Sequence, residues 1–320
     1  MAANIGYRIA ADATYYDHIC DVKGWTTMGH TGNRKSTYFY IFISPWLLGF
    51  FLLTFVPLIY SLYLSLTQYN GISSPQFIGL QNYTDILFRD DLFRKSLINA
   101  FHYAIIAVPT SLLLALLIAF LLSKESRTSN FFQIIFYFPS IAAGVAVFTV
   151  AKFLLRGEGG LINYVLSMFS VQGPFWLSDP NWAMNSLAMV NLIFCGSQML
   201  IFLAGIKQIP ASYYEAAKMD GASSFHCFFK ITLPLIASMF VFNLVMGIIN
   251  AFQVFVQPLI MTGGGPLKTT YVYGMYIYDS AFNFGRFGYA SALAWITFVI
   301  ILVISLVILK SLQKRMNYED

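Results

Sequence analysis

Six apolar runs, each near or above the roughly 20 residues needed to cross a hydrocarbon core, constrain this chain more than any other feature. They cover residues 38–66, 100–122, 131–150, 183–205, 235–260 and 288–309. Backbone in lipid must satisfy its own N–H and C=O groups, so each run is expected to be helical. The fold class that follows is an all-α membrane protein with six transmembrane helices. Hydrophobic residues make up 58% of the 320 and charged residues 10%, with mean hydropathy +0.66, outside the range of a soluble globular domain. The net charge of +5 does not imply nucleic acid, because the bases are dispersed beside the spans and form no stripe along which phosphates could run.

The chain divides into a head (1–37), a transmembrane domain (38–309) and a tail (310–320). Residues 9–13 of the head are weakly helical and 24–33 are turn-rich. The head has no apolar core of the kind a cleaved signal peptide needs, so the first span serves as an uncleaved insertion signal. Gly29 to Ser36 imitates a phosphate loop, but Arg34 replaces the glycine before Lys35 and no strand precedes it. With the amino terminus inside, twelve lysines and arginines face the cytoplasm and seven face out, which places both termini and the 206–234 loop inside. Cys20, Cys195 and Cys227 suggest no disulfide.

Pro45 and Pro57 predict a kink in the first span, while Pro109 and Pro258 free carbonyls that need other partners. Residues 68–99 hold a short helix over 85–95. Trp176 and Trp182, together with the tyrosines of Tyr271 to Tyr278, suit the outer membrane interface, and Lys152 and Arg156 reach its headgroups.

None of the fourteen acidic residues sits mid-span, so the chain lacks the intramembrane titrating group that ion-coupled carriers use. Energy must come from elsewhere. The polar side chains within the spans are neutral: Asn191 and Gln198 in the fourth, and Asn243, Asn250, Gln253 and Gln257 in the fifth. Asn243, Asn250 and Gln257, seven apart, fall on one helix face. Such a lining suits a neutral solute with hydroxyls, with Phe242, Phe252, Phe255 and Trp295 available to stack on it. Hydrogen bonding between helices is the plainer use of the same amides.

The 206–234 loop carries YEAAKMDGASSFHCFFKITLP. Ala211 to Met219 forms a short helix, with Pro210 near its first position and Ser212 able to cap. Gly221 permits the turn, and Ser223 caps a second helix with Phe225, Phe228 and Phe229 on one side. A helix pair that merely closes the surface of the bundle is the plain reading.

Glu215-Ala216-Ala217, three residues, Gly221, then nine residues before Ile231-Thr-Leu-Pro234 resembles the EAA signature of bacterial ABC importer permeases, in the maltose-type and glycerol-phosphate-type carbohydrate branch. FIGLQNY at Phe77 to Tyr83 and Thr262 to Pro266 resemble further elements of that branch. The resemblance implies a type I ABC importer permease architecture with a cytoplasmic coupling-helix loop. It implies a multi-pass subunit of the bacterial inner membrane that imports a sugar or oligosaccharide. Its expected partners are a second, non-identical permease subunit, an ATPase dimer and an extracytoplasmic solute-binding protein. This chain would bind no cofactor, with ATP and magnesium held by the ATPase. Glu215, Ala216, Ala217, Asp220, Gly221, Ala222 and Phe225 would contact that ATPase. In maltose-type relatives the spans flanking this loop bind the substrate. A secondary carrier or facilitator for a neutral polar solute is the alternative reading.

Overall fold

The computed structural model describes residues 32–316, and side chains within 39–311. The readings of 9–13, of the phosphate-loop imitation before Gly32 and of Cys20 lie outside the described residues. Of the described residues, those up to Tyr60 form one unit and those from Ser61 a second. In the first, α1 (Gly32–Phe50) begins inside the segment expected to be head and turn. It passes through a single π turn (Phe51–Phe55) into α2 (Val56–Ser65). Pro57 has no N–H to return to Leu53, and a widened turn just ahead of it is the local answer.

The second unit begins with a small hairpin, β1 (Thr67–Gln68) against β2 (Gln76–Phe77), with Thr67 opposite Phe77. The expected 85–95 helix is instead split. α3 (Gln81–Arg89) stops at Asp90, whose backbone is extended, and α4 (Asp91–Leu121) starts there, nine residues before the second apolar run. Asp90 Oδ1 accepts from the N–H groups of Leu92 and Phe93 at 2.9 and 3.0 Å, an N-cap that the apolar pattern conceals. The FIGLQNY element acquires a physical meaning here. Asn82 donates to the carbonyls of Ser65 and Thr67 at 2.8 and 3.0 Å, and Tyr83 shares a 2.8 Å hydrogen bond with Ser65 Oγ.

Three of the expected spans are bent. α5 (Arg127–Ile141), with Pro139 in its last turn, meets α6 (Gly144–Leu154) at 98°. After α7 (Leu161–Met168), α8 (Ala183–Asn191) and the 3-10 turn Leu192–Phe194 meet α9 (Gly196–Lys207) at 49°. α10 (Ala211–Met219) and α11 (Ser224–Cys227) lead through a π turn (Phe228–Thr232) and α12 (Leu233–Leu235) into α13 (Ala237–Phe252), with a 70° bend. The fifth run then breaks at Gln253, and α14 (Val256–Met261) is separate. α15 (Tyr273–Tyr278) and α16 (Phe287–Met316) complete the chain. By length and apolar composition, three helices can cross a membrane unaided, and six spans result if each bent pair crosses once.

Close backbone approach decides where these pieces cross. A Cβ on Gly196 would lie 2.2 Å from the Phe136 carbonyl oxygen, and one on Gly288 2.1 Å from that of Thr67. Small residues at such crossings are what let helices approach in lipid. Several polar groups expected at the membrane surface find partners within the protein. Tyr273 is buried and donates to Leu293 O at 3.0 Å. Tyr276 and Tyr289 both donate to Asp90. Lys152 Nζ donates to Ile260 O at 2.9 Å, at the carbonyl end of α14, where a cation is favoured. Trp176 is also buried, its Nε1 on Asn163 Oδ1 at 2.7 Å, while Trp182 stays partly exposed. Cys195 and Cys227 are buried and free.

Candidate functional site: a surface elbow and a polar cavity

The loop forms an elbow whose spacing is that of a helix C-cap. Ala222 N–H donates to Ala217 O at 2.9 Å and Gly221 N–H to Lys218 O at 3.0 Å, the paired bonds of a Schellman turn. Gly221 has φ +76°, the left-handed conformation such a turn requires. The interval from Glu215-Ala216-Ala217 to Gly221 is therefore the length of the last helical turn plus its cap. Pro210 occupies the N-cap itself, and Ser212 makes no capping bond. Ser223 does cap, its Oγ accepting from His226 N–H at 3.2 Å.

Tyr214 and Thr232 share a 2.9 Å hydrogen bond that closes the elbow on its inner side. Phe228 packs edge-on to Phe120 at 4.8 Å, fastening the elbow to the end of α4. Glu215, Ala216, Asp220 and Gly221 face outward, while Ala217 and Ala222 are half-buried. Phe225 is 74% exposed and Met219 88% exposed. Met219 was not among the expected contacts. A large apolar side chain on an otherwise polar loop is the signal that would have found it.

The second place is a cavity of about 300 Å³ among α4, α5, α8, α9 and α13. Its polar lining is Ser111, Ser140, Asn191, Ser197, Gln198 and Asn250, and no charged side chain lines it. Ser111 Oγ donates to Gln198 Oε1 at 2.6 Å and orients that amide. Of the six amides expected from the sequence, Asn191, Gln198 and Asn250 are brought together here, and three are not. Asn243 is buried, donating to Gln198 O at 3.2 Å, and its Oδ1 has no partner among the described residues. Gln253 is exposed where α13 ends. Because the helix breaks there, Gln257 does not continue the Asn243 and Asn250 face. It accepts from Tyr103 Oη at 2.8 Å and donates to Leu187 O at 2.7 Å.

None of the four aromatic residues expected to stack on a solute lines the cavity. Phe252 is buried against Phe101, Phe255 lies against Tyr278, Phe242 is exposed, and Trp295 donates to Ser61 Oγ at 3.2 Å. Tyr103 and Phe194 line it instead. Replacing Tyr103 with Phe leaves Gln257 Oε1 buried without a donor, a loss of about 1–3 kcal/mol. A lower melting temperature of the purified protein is the expected result, and an unchanged one contradicts this bridge.

At the end of α4 away from the elbow, Asp90 anchors a pocket edged by Arg89 and Arg286. Burial opposes its charge, but the hydroxyls of Tyr276 and Tyr289 and the two capping N–H groups outweigh that and hold its pKa below the ordinary carboxylate value. The same contact and burial push Tyr276 up to about 12.

A family model described as "binding-protein-dependent transport system inner membrane component" matches residues 111–318, which include both the elbow and most of the cavity. The chain belongs to that family. It is 39% identical over 284 residues to a probable ABC transporter permease, YesP, of Bacillus subtilis, covering 88% of this chain and 92% of the relative. It is 32% identical to AmyD of Thermoanaerobacterium thermosulfurigenes, a probable starch degradation products transport system permease, with 88% and 96% covered. A chain of a bacterial alginate ABC transporter, in complex with its alginate pentasaccharide-bound periplasmic protein, superimposes with a TM-score of 0.75 at 22% identity, over 86% of this chain and 93% of that one. This family member is thus a multi-pass ABC importer permease, a transport subunit and not an enzyme, of a system that works with a solute-binding protein. Membership sets aside the secondary-carrier reading.

Proposed function

We propose that this permease imports a sugar or oligosaccharide through the cavity between α4 and α13, driven by a separate ATPase dimer that grips the Pro210 to Pro234 elbow. A second, non-identical permease subunit completes the pathway, both termini lie in the cytoplasm, and ATP and magnesium are bound by the ATPase. The observation that carries this reading is the pairing of two features. One is a rigidly capped elbow that presents Glu215, Ala216, Asp220 and Phe225 outward; the other is a neutral, hydroxyl-and-amide cavity. A charged cargo would call for a countercharge in the lining, whereas hydroxyls need only donors and acceptors such as Gln198 and Asn250. The starch-product relative and the alginate transporter support a saccharide cargo.

Force applied at the elbow has a direct path inward. Phe228 bears on Phe120 of α4, and α4 also carries Tyr103 and Ser111 of the cavity wall. The test is uptake by the assembled transporter in proteoliposomes containing ATP. An ATPase subunit unable to hydrolyse nucleotide is expected to abolish accumulation of a radiolabelled maltodextrin or other neutral oligosaccharide. Accumulation that persists sinks the proposal.

A further inference from the structure

Behind the elbow lies a cleft of about 740 Å³ that shares only Ala222 with the residues expected to meet the ATPase. Three ammonium groups line it, those of Lys124, Lys207 and Lys218, against a single carboxylate, Glu125. Lys207 approaches that carboxylate only to 4.0 Å. Among the described residues neither Lys124 nor Lys218 meets a carboxylate. The cleft thus holds three positive charges and one negative, a net of +2. The Ser224 hydroxyl also lines it and adds a further donor.

The floor is different. Phe120, Ile206 and Phe228 make it apolar, and Leu121 at its edge is 66% exposed on the membrane-spanning helix α4. A small free anion has no use for that floor. An amphiphile matches both halves, since its headgroup phosphate can meet the lysines while its chain follows the apolar wall toward the lipid.

We propose that the cleft is a binding site for the phosphate headgroup of an anionic phospholipid. The bound lipid ties together the end of α4, the end of α9 and the inner side of α10 and α11, all of which contribute to the lining. It therefore braces the elbow against the spans it must move. The proposal takes from the functional reading only the membrane leaflet, and its test does not depend on coupling.

The whole transporter is reconstituted in nanodiscs of phosphatidylcholine, of phosphatidylcholine with phosphatidylglycerol, and of the same mixture with added inorganic phosphate. Retained lipid is measured by native mass spectrometry. Wild type is expected to retain phosphatidylglycerol, the Lys124→Gln/Lys218→Gln variant to bind it at least about tenfold more weakly, and the Lys124→Arg/Lys218→Arg variant to keep it. Equal retention by the glutamine variant overturns the proposal. Displacement of the lipid by millimolar inorganic phosphate overturns it in favour of a free-anion site. If the glutamine variant instead loses its ATPase subunit in every lipid, the lysines serve that partner and the proposal fails. Lipid retention that survives while a Glu215→Lys variant transports normally would separate this site from a failed coupling assignment.

Discussion

Gly196→Val is expected to cost the protein about 3 kcal/mol or more of stability. The added Cβ would lie 2.2 Å from the Phe136 carbonyl oxygen and 2.8 Å from Tyr137 Cα. Both are backbone atoms of α5, so no rotamer change relieves the overlap, and α5 and α9 must part. Gly205 offers a control, because a Cβ there meets no backbone, only the flexible Met239 side chain at 3.1 Å and Ile236 Cγ2 at an ordinary 3.4 Å. Thermal unfolding of the detergent-purified protein should show Gly196→Val melting far below wild type and Gly205→Ala close to it. Similar melting temperatures for the two variants would mean that the α5 and α9 crossing does not hold the bundle.

Glu215→Lys and Gly221→Val are expected to leave membrane insertion intact and to cut uptake per ATP hydrolysed at least about tenfold, the equivalent of about 1.4 kcal/mol of lost coupling. The two act differently. Glu215 is exposed on α10, so reversing its charge alters the face offered to the ATPase without disturbing the fold. Gly221 has open space around a hypothetical Cβ, so the cost of substitution comes from φ +76° alone, about 1–2 kcal/mol and worst for a β-branched side chain. Gly221→Asn, which tolerates that conformation, should retain most of the uptake. Normal transport by both Glu215→Lys and Gly221→Val would remove the elbow from the coupling path.

What could be read ahead of the structure was local in origin. The α10 helix, the Gly221 turn and the Ser223 cap lie within a few residues of the groups that create them, so the loop sequence contains their causes. Asn191, Gln198 and Asn250 were recognisable as polar residues in apolar runs, and the structure gathers them. Gln257 was misplaced because a seven-residue interval implies a shared face only while the helix continues, and α13 ends at Phe252. The partner of Tyr276 could not be read ahead, because interface preference says nothing of contacts made between groups distant in the chain. Here Asp90, 186 residues earlier in the chain, supplies a half-buried acceptor.

By itself, the sequence determined that this is a helical membrane protein without acidic groups inside its spans, that it belongs with transporters powered from outside, and that its polar loop folds as a capped elbow. Those conclusions depend on hydropathy and on hydrogen bonds that close over a few residues. Only the tertiary structure decided that three spans bend, that Ser111 orients Gln198, and that Tyr103 reaches Gln257 across 154 residues of chain. In each case the deciding contact joins helices that are distant in the chain. Such a contact forms where backbones such as those at Gly196 and Phe136 approach closely enough for side chains from separate helices to meet.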